Sequence, residues 1–296
     1  MRVVGIAASV FGLRCLEALK GVDECELVGV VTAPQKFPIS YRPSGVTNVL
    51  FADVSDFCES SGIPYAVMTG GMSDESLLAE VKGWRPDIFI VAGWYHMLPV
   101  SWRNIAPAYG LHASLLPKYS GGAPLVWAII NGEQRTGISF FRFDAGVDSG
   151  PIVGQKVVSI EVADTIATLY AKIELLGLEL ISEVVPRLAS GDAVHLVQDE
   201  SQRSVFPQRS PEDGLIDFKQ DADRLYDFVR AQTKPYPGAF FVMGCGGVVK
   251  VWAVSADRVR LDGIEPGPFT APDGSLYLVG LDAIGLKVES TTVETA

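Results

Sequence analysis

The fold class follows from three consecutive segments, Val3-Val-Gly-Ile-Ala-Ala8, Gly12-Leu-Arg-Cys-Leu-Glu-Ala-Leu-Lys20 and Leu27-Val-Gly-Val-Val-Thr32. The first and third are continuous apolar runs, which are typical of strands buried on both faces. The middle segment repeats leucine every third residue, which places these side chains on one side of a helix. A strand, a helix and a second strand in this order predict a parallel pair joined by a helical crossover.

The same alternation continues over the first two-thirds of the chain. It predicts helices over residues 49–61, 74–82, 123–131 and 165–189, and strands over residues 64–68, 87–93, 110–114, 136–143 and 152–159. This order predicts an α/β fold with a mostly parallel sheet covered by helices on both faces. The proline-rich residues 32–48 are predicted to form a long loop, of the kind that often binds or covers a ligand.

The pattern changes after residue 203. Prolines become frequent, one amphipathic helix is predicted over residues 221–232, and short strands with turn signals follow. This pattern predicts a small antiparallel barrel or sandwich appended to the α/β domain. The predicted domains are therefore residues 1–203 and 204–296.

Composition excludes several classes of protein. Hydrophobic residues make up 48% of the 296 and charged residues 20%, which indicates a globular chain. The net charge of −11 argues against a large nucleic-acid footprint. Four scattered cysteines predict reduced thiols and no cysteine-bound zinc, and no other spacing suggests a metal. No run approaches the roughly 18 apolar residues of a membrane helix, and the N-terminal run is predicted to be a strand. We therefore expect a cytoplasmic protein.

One histidine and one aspartate form a candidate acid–base pair. His112 lies in Tyr109-Gly-Leu-His-Ala-Ser-Leu-Leu-Pro-Lys-Tyr119, and Asp148 lies 36 residues later in Gly146-Val-Asp-Ser-Gly150. An imidazole titrates near neutrality, and a carboxylate beside it can orient it and hold its proton. A serine hydrolase is excluded because Ser114 and Ser149 lack the G-x-S-x-G elbow. Proton transfer without a metal or a covalent intermediate is the simplest interpretation.

Two further features indicate a ligand site. His96 follows the apolar run at residues 87–93, and ligands of open α/β sheets bind beyond the carboxyl ends of strands. Gly121-Gly122 permits a tight turn or the close approach of a ligand. The glycines at positions 5 and 12 match neither nucleotide-binding glycine motif.

Several motifs together resemble the 10-formyltetrahydrofolate-dependent formyltransferases. The motifs are His112-Ala-Ser-Leu-Leu-Pro-Lys-Tyr119, Gly121-Gly-Ala-Pro-Leu-Val-Trp-Ala-Ile-Ile-Asn-Gly-Glu133, Thr136-Gly-Ile and Asp148-Ser-Gly-Pro-Ile-Val-Gly-Gln155. Downstream, Pro207-Gln-Arg-Ser-Pro-Glu-Asp-Gly-Leu-Ile-Asp217 and Pro235-Tyr-Pro-Gly-Ala-Phe240 resemble the C-terminal domain found in methionyl-tRNA formyltransferase. The resemblance covers nearly the whole chain and implies a Rossmann-like domain followed by a small OB-like β-barrel.

The resemblance also implies roles for residues. His112 would stabilise the oxyanion that forms when an amine attacks the formyl carbon, and Asp148 would orient the imidazole and help to remove the amine proton. Ser114 is grouped with this catalytic pair. The folate co-substrate is expected against two loops that supply Trp94, Met97, Leu98, Phe143, Asp144 and Val147. The amine substrate is expected near Tyr119, Ser120, Gly122 and Arg42.

The chain departs from the family pattern at two places. The family usually has an oxyanion-donating Asn two residues before the histidine, where this chain has Gly110. Losing such a donor costs about 10²–10³ in rate in other enzymes. Relatives that act on nucleotide-linked sugars tend to carry Arg where this chain has Ser120-Gly121-Gly122, although Arg42 or Arg142 could serve instead.

The leading hypothesis is an N-formyltransferase that acts on a small primary amine, such as an amino sugar or a hydroxyornithine-like amine. One alternative is formylation of the methionyl group on initiator tRNA, which the negative charge and the lack of a basic loop at residues 32–48 disfavour. An alternative of another class is a non-catalytic folate-binding module. The retention of both His112 and Asp148 disfavours that alternative. No membrane partner is expected, and the sequence does not predict the oligomeric state.

Overall fold

The computed structural model describes residues 1–39, 42–244 and 246–294. Its helices in these ranges are α1 (Val10–Lys20), α2 (Ser55–Ser61), α3 (Glu75–Gly83), α4 (Val100–Arg103), α5 (Pro124–Ile130), α6 (Ile166–Ser190) and α7 (Ala222–Gln232). Its strands are β1 (Arg2–Ala7), β2 (Glu26–Thr32), β3 (Lys36–Ile39), β4 (Arg42–Thr47), β5 (Tyr65–Val67), β6 (Ile88–Ala92), β7 (Ala108–His112), β8 (Ser120–Gly121), β9 (Arg135–Arg142), β10 (Ile152–Ser159), β11 (Val205–Phe206), β12 (Ala239–Val242), β13 (Val248–Val254), β14 (Val259–Arg260), β15 (Gly267–Thr270), β16 (Leu276–Val279) and β17 (Ile284–Glu294). Among these helices, none combines the length and the apolar character needed to cross a membrane.

Seven strands form one sheet in the order β10-β9-β7-β6-β1-β2-β5. Five neighbouring strands of this sheet, β7, β6, β1, β2 and β5, are parallel to one another. Strand β9 runs antiparallel to β7. Counted along the chain, the parallel strands are arranged 3-2-1-4-5, which is the Rossmann order with its switch point between β1 and β6. The predicted α/β class and mostly parallel sheet are therefore confirmed.

Burial explains why the central strands read as continuous apolar runs. All five residues of β6 are buried, and Val3 and Val4 of β1 are fully buried. Between strands, the helices contribute one apolar side each; Leu16 and Leu19 of α1 are 1% exposed. Ser9 caps α1 by accepting a hydrogen bond from the Gly12 amide, so the helix starts directly beyond β1.

The C-terminal strands form a curled antiparallel half-barrel in the order β12-β13-β17-β16-β15, with β14 also paired to β17. The long β17 is shared, because its later residues pair with β13 and its earlier residues pair with β16. Register shifts between Val251 and Val254 bend β13, as β-bulges do. Leu225 and Val229 of α7 belong to the core of this sheet. The predicted antiparallel barrel-like domain is confirmed.

The chain folds into two compact units. The first unit comprises Met1–Ser120, Gly137–Val157 and Ile173–Ser204, and the second comprises Gly121–Thr136, Val158–Lys172 and the chain from Val205 onwards. These units are defined by spatial contacts and each gathers several segments. The predicted domains, residues 1–203 and 204–296, are instead two continuous stretches of sequence. Their boundary stays a prediction.

The prediction of a long loop at residues 32–48 is wrong, because β3 and β4 form an antiparallel hairpin there. Phe37 is 5% exposed and pairs with Val46 across the hairpin. The prolines suggested a loop, yet Pro38 lies at a register shift, where a strand tolerates the missing amide.

Candidate active site

His112 is the last residue of β7 and lies at the carboxyl end of the parallel sheet. It pairs with Ser139 of β9, and its ring meets the edge of the Phe141 ring at 82°. The His112 side chain is 11% exposed. Open α/β sheets bind ligands beyond the carboxyl ends of their strands, and β7 is the neighbour of β6, which borders the switch point. The fold therefore places this imidazole where it can meet a ligand.

The structure brings His112 and Asp148 together. The distance from His112 Nδ1 to Asp148 Oδ2 is 3.6 Å, which suits an ion pair and exceeds hydrogen-bond length. His112 Nε2 lies 2.8 Å from the carbonyl oxygen of Tyr119. Because a carbonyl can only accept, Nε2 carries a proton in this arrangement and donates it. The imidazole therefore has a hydrogen-bond acceptor at Nε2 and a carboxylate beside Nδ1.

The backbone around this pair is strained. Asp148 has φ +52° and Tyr119 has φ +57°, both in the left-handed region that non-glycine residues rarely occupy. Such residues persist only where the surrounding structure holds them, and they are frequent at functional sites. The turn that carries Asp148 is thus held by contacts from elsewhere in the chain.

The space beside Gly110, where a side chain at this position would lie, is filled by a phenyl ring and not by a side-chain amide. A Cβ placed on Gly110 would lie 2.5 Å from Cε1 and 2.6 Å from Cζ of Phe143, and 3.1 Å from the Val91 carbonyl oxygen. The ring of Phe143 therefore occupies the place that a side chain at position 110 would need. The departure from the family pattern at Gly110 is coupled to Phe143, and no side chain at position 110 can donate to an oxyanion.

Substituting Gly110 tests this coupling. We expect Gly110→Asn to lower the free energy of unfolding by about 1–3 kcal/mol, because the new side chain overpacks against Phe143. In a double-mutant cycle with Phe143→Ala, the two changes should couple favourably by about 0.5–3 kcal/mol. Urea unfolding measures both quantities. Gly83→Asn is the matched control, since a Cβ at Gly83 meets no atom within 4 Å. Additive effects in the cycle would contradict the coupling.

The loop after β6 holds buried polar atoms without partners. Trp94 Nε1 and His96 Nε2 are buried, and no hydrogen-bond partner reaches either atom within the part of the chain that the structure describes. Burial lowers the pKa of His96, which keeps its ring neutral at pH 7. Phe37 packs on His96 with ring centroids 4.8 Å apart. Buried polar atoms without partners are costly, so these two atoms are candidates for contacts with a polar ligand.

The other residues expected against the folate co-substrate are placed differently from one another. Leu98 is 6% exposed and belongs to the apolar core of the first unit. Trp94 and Phe143 are partly buried and pack against this core. Met97 is 65% exposed and Val147 is 43% exposed. The exposed Asp144 accepts hydrogen bonds from the Gly146 amide and the Ser149 hydroxyl, which shapes the turn before Asp148. Their contact with folate stays a prediction.

The residues expected near the amine do not all form one described group. Tyr119 is in contact with His112 through its carbonyl, and Ser120 is fully buried with its hydroxyl donating to the Pro117 carbonyl. Gly122 belongs to the second unit, where a Cβ on it would lie 2.4 Å from Gln208 Cα. The side chain of Arg42 lies outside the described residues.

Ser114, grouped with the catalytic pair, has a fully buried side chain. Its hydroxyl donates a 2.7 Å hydrogen bond to the Lys118 carbonyl. This contact closes the turn between His112 and Tyr119. A part for Ser114 in catalysis stays a prediction.

Two groups that surround the pair could not be predicted from the sequence. One is the main-chain carbonyl of Tyr119, and the other is the side chain of Gln198, which is 7% exposed and bonds to the Asp148 turn. Every residue has a main-chain carbonyl, so no sequence pattern marks one. A single glutamine between apolar and acidic residues carries no periodic signal either. Within the described residues, no group of three or more His, Cys, Asp or Glu is arranged to hold a metal.

Comparison with known proteins gives consistent matches. The family model described as "Formyl transferase" matches residues 12–185, and the one described as "Formyl transferase, C-terminal domain" matches residues 209–284. A methionyl-tRNA formyltransferase from Geobacter metallireducens is 33% identical to this chain over 273 residues, covering 91% of this chain and 84% of that protein.

Two solved structures share the fold. One is an N-formyltransferase from Helicobacter canadensis in complex with folinic acid and dTDP-3-aminofucose, with a TM-score of 0.72 and 17% identity over 97% of this chain and 98% of that chain. The other is a methionyl-tRNA formyltransferase from Clostridium thermocellum, with a TM-score of 0.61 and 17% identity over the whole of both chains. At this identity the likeness shows the fold.

Proposed function

The chain belongs to the formyl transferase family and is an enzyme of formyl transfer, and from this premise we propose that it transfers the formyl group of 10-formyltetrahydrofolate to the primary amine of a small molecule. This membership sets aside the non-catalytic folate-binding module. The observation that carries the proposal is the pairing of His112 with Asp148 at the end of β7, with Nδ1 and Oδ2 3.6 Å apart.

Formyl transfer to an amine makes three demands that this pair can meet. The folate supplies an electrophilic formyl carbon. The amine must be neutral to attack it, negative charge develops on the formyl oxygen, and the amine proton must leave. The Nε2–H of His112, which here donates to Tyr119, can instead donate to the formyl oxygen. Asp148 can balance charge on the imidazole and take the amine proton. When the bond between the formyl carbon and N10 of the folate breaks, N10 would receive a proton and tetrahydrofolate would leave.

The loop after β6 fits the folate. A pterin ring is flat and carries hydrogen-bond donors and acceptors around its edge. Trp94 Nε1 and His96 Nε2 are the unpaired buried atoms there, and Leu98 and Phe143 contribute apolar surface. A mostly apolar pocket with a few fixed polar groups is the usual form of a cofactor site. These residues would hold the pterin ring of the folate. That the folate carries its formyl group at N10 is part of the proposal.

Charge favours a small amine over tRNA. Residues 205–296 carry nine Lys and Arg against thirteen Asp and Glu, a net charge of −4, and residues 32–48 contain only Lys36 and Arg42 as basic residues. A protein that binds tRNA tightly needs clustered basic side chains against phosphates. An amino sugar or a hydroxyornithine-like amine needs no such surface, and the Helicobacter canadensis enzyme is seen with an amino-sugar nucleotide.

The second candidate is formylation of the methionyl group on initiator tRNA. The 33% identity to the Geobacter metallireducens methionyl-tRNA formyltransferase favours it, because this relative is matched over 91% of the chain. Both candidates share the donor and the catalytic pair, and they differ only in what delivers the amine.

The deciding experiment offers the protein 10-formyltetrahydrofolate with separate acceptors: amino-sugar nucleotides, hydroxyornithine and ornithine, and charged initiator tRNA. Release of tetrahydrofolate and the gain of one CO in the acceptor's mass are measured together. We expect turnover with a small amine and little with tRNA. Robust formylation of the tRNA with none of the small amines would overturn the proposed acceptor. The His112→Ala protein is the blank for non-enzymatic transfer.

A further inference from the structure

The segment that follows α6, residues 193–204, crosses the first unit as an exposed strap. Val194 is 57% exposed, Leu196 is 62% exposed and Val197 is 90% exposed, so apolar burial does not hold it in place. Gln198 is the exception, since it is 7% exposed. A buried amide within an exposed segment needs a reason, because burial of polar groups is costly unless they are hydrogen-bonded.

Two side chains of the strap hold the turn that carries Asp148. Gln198 Nε2 donates to the carbonyl of Asp148 at 2.8 Å and to the carbonyl of Gly150 at 2.6 Å. Arg203 donates to the carbonyl of Val147. Three of the four carbonyls from Val147 to Gly150 are thus fixed by strap side chains. These bonds supply the support that the left-handed backbone of Asp148 requires.

The strap also contacts the residues around His112. The Ser204 hydroxyl accepts a hydrogen bond from the Tyr119 amide at 2.9 Å, and the Tyr119 carbonyl is the partner of His112 Nε2. His195 Nε2 lies 3.0 Å from the hydroxyl of Tyr109, which is three residues before His112 on β7. The strap therefore contacts the Asp148 turn and two tyrosines beside His112.

We propose that the strap sets the spacing between His112 and Asp148, and that Gln198 is the positioning residue through which it acts. The inference rests on the proposed function of this pair. The chemistry of an amide explains the choice of residue, because Gln198 has two N–H groups and each is taken by one carbonyl of the turn. A carboxylate cannot donate and would face both carbonyls with negative charge, and an alkyl side chain would leave them unpaired.

Two substitutions test this role. In Gln198→Leu the turn loses both bonds and Asp148 moves relative to Nδ1, so kcat should fall about 10- to 100-fold with a smaller change in KM. Gln198→Glu should resemble the leucine variant at alkaline pH. At acid pH its carboxyl group becomes protonated and can donate one hydrogen bond again, so its kcat relative to wild type should rise as the pH falls, while the relative kcat of Gln198→Leu stays flat.

A measurement without turnover accompanies the kinetics. Nitrogen-15 imidazole resonances of the three histidines report the protonation of His112 directly. We expect Gln198→Leu and Gln198→Glu to shift the His112 titration and to leave that of His96 unchanged. Gln202→Leu and Gln202→Glu are the matched controls, because Gln202 is exposed and its side-chain amide donates to the neighbouring Ser201 hydroxyl, away from the Asp148 turn. If Gln198→Leu fails to fold, Ser204→Ala tests the strap through its contact with the Tyr119 amide.

The outcomes separate the two proposals. A shifted His112 titration without formyl transfer to any acceptor, in wild type or variant, would refute the proposed function and support the strap. Unchanged titration and unchanged kcat in the Gln198 variants would refute the strap and leave the function standing. Equal pH dependence of the leucine and glutamate variants would refute the hydrogen-bond role of Gln198.

Discussion

Replacing His112 with alanine is expected to lower kcat for formyl transfer by about 10³- to 10⁴-fold. The imidazole is proposed to stabilise negative charge on the formyl oxygen and to take part in proton transfer. In other enzymes each of these effects raises the rate by about 10²-fold or more. Gly110 has no side-chain amide to share the first task, and the Phe143 ring fills the space that such a side chain would need. Single-turnover kinetics with the best acceptor would measure the loss of the chemical step.

Folate binding is the control for the His112 variant. The unpaired Trp94 Nε1 and the rest of the loop after β6 are untouched by the substitution, so affinity for a non-reactive folate analogue should be preserved. Quenching of tryptophan fluorescence measures that affinity. Wild-type turnover in His112→Ala would remove this histidine from the mechanism.

Asp148→Asn is expected to lower kcat by about 10²- to 10⁴-fold, because the carboxylate that balances the imidazolium and accepts the amine proton is lost. Asparagine is the informative replacement. It keeps the shape of the side chain and tolerates φ +52°, whereas alanine would add backbone strain to the loss of charge. Asp56→Asn makes the same chemical change on an exposed face of α2 and should leave kcat unaltered.

The double variant decides whether the two residues act as a unit. Groups that act together are strongly non-additive, so His112→Ala combined with Asp148→Asn should be little slower than His112→Ala alone. If the fold-loss in kcat of the double variant equals the product of the two single fold-losses, the residues act independently, and the proposal that they act as a pair is contradicted. Urea unfolding of all three variants checks that slow turnover does not come from loss of the fold.

Much of the fold could be predicted from the sequence because buried strands and amphipathic helices have characteristic spacings. The strand predicted over residues 152–159 coincides with β10, and the long helix α6 starts and ends within one residue of its prediction. The hairpin at β3 and β4 was missed, since its prolines resemble loop residues and only the burial of Phe37 shows the strand pairing.

The site was predicted less completely. The motifs and the family resemblance singled out His112 and Asp148, and the structure brings them within 3.6 Å. The sequence also identified Gly110 as a departure from the family pattern. It could not show that Phe143 fills the space, because these residues are 33 positions apart and meet only through the pairing of β7 with β9.

The sequence by itself therefore determined the α/β class, the appended antiparallel strands, the family, and the two residues proposed for the chemistry. These features depend on local spacing and on short motifs, which are written in consecutive residues. Only the tertiary structure decided the proton on His112 Nε2, the phenyl ring at position 110 and the support of Asp148 by Gln198. Each of these depends on contacts between distant segments or on a main-chain carbonyl, which every residue has and no sequence pattern distinguishes.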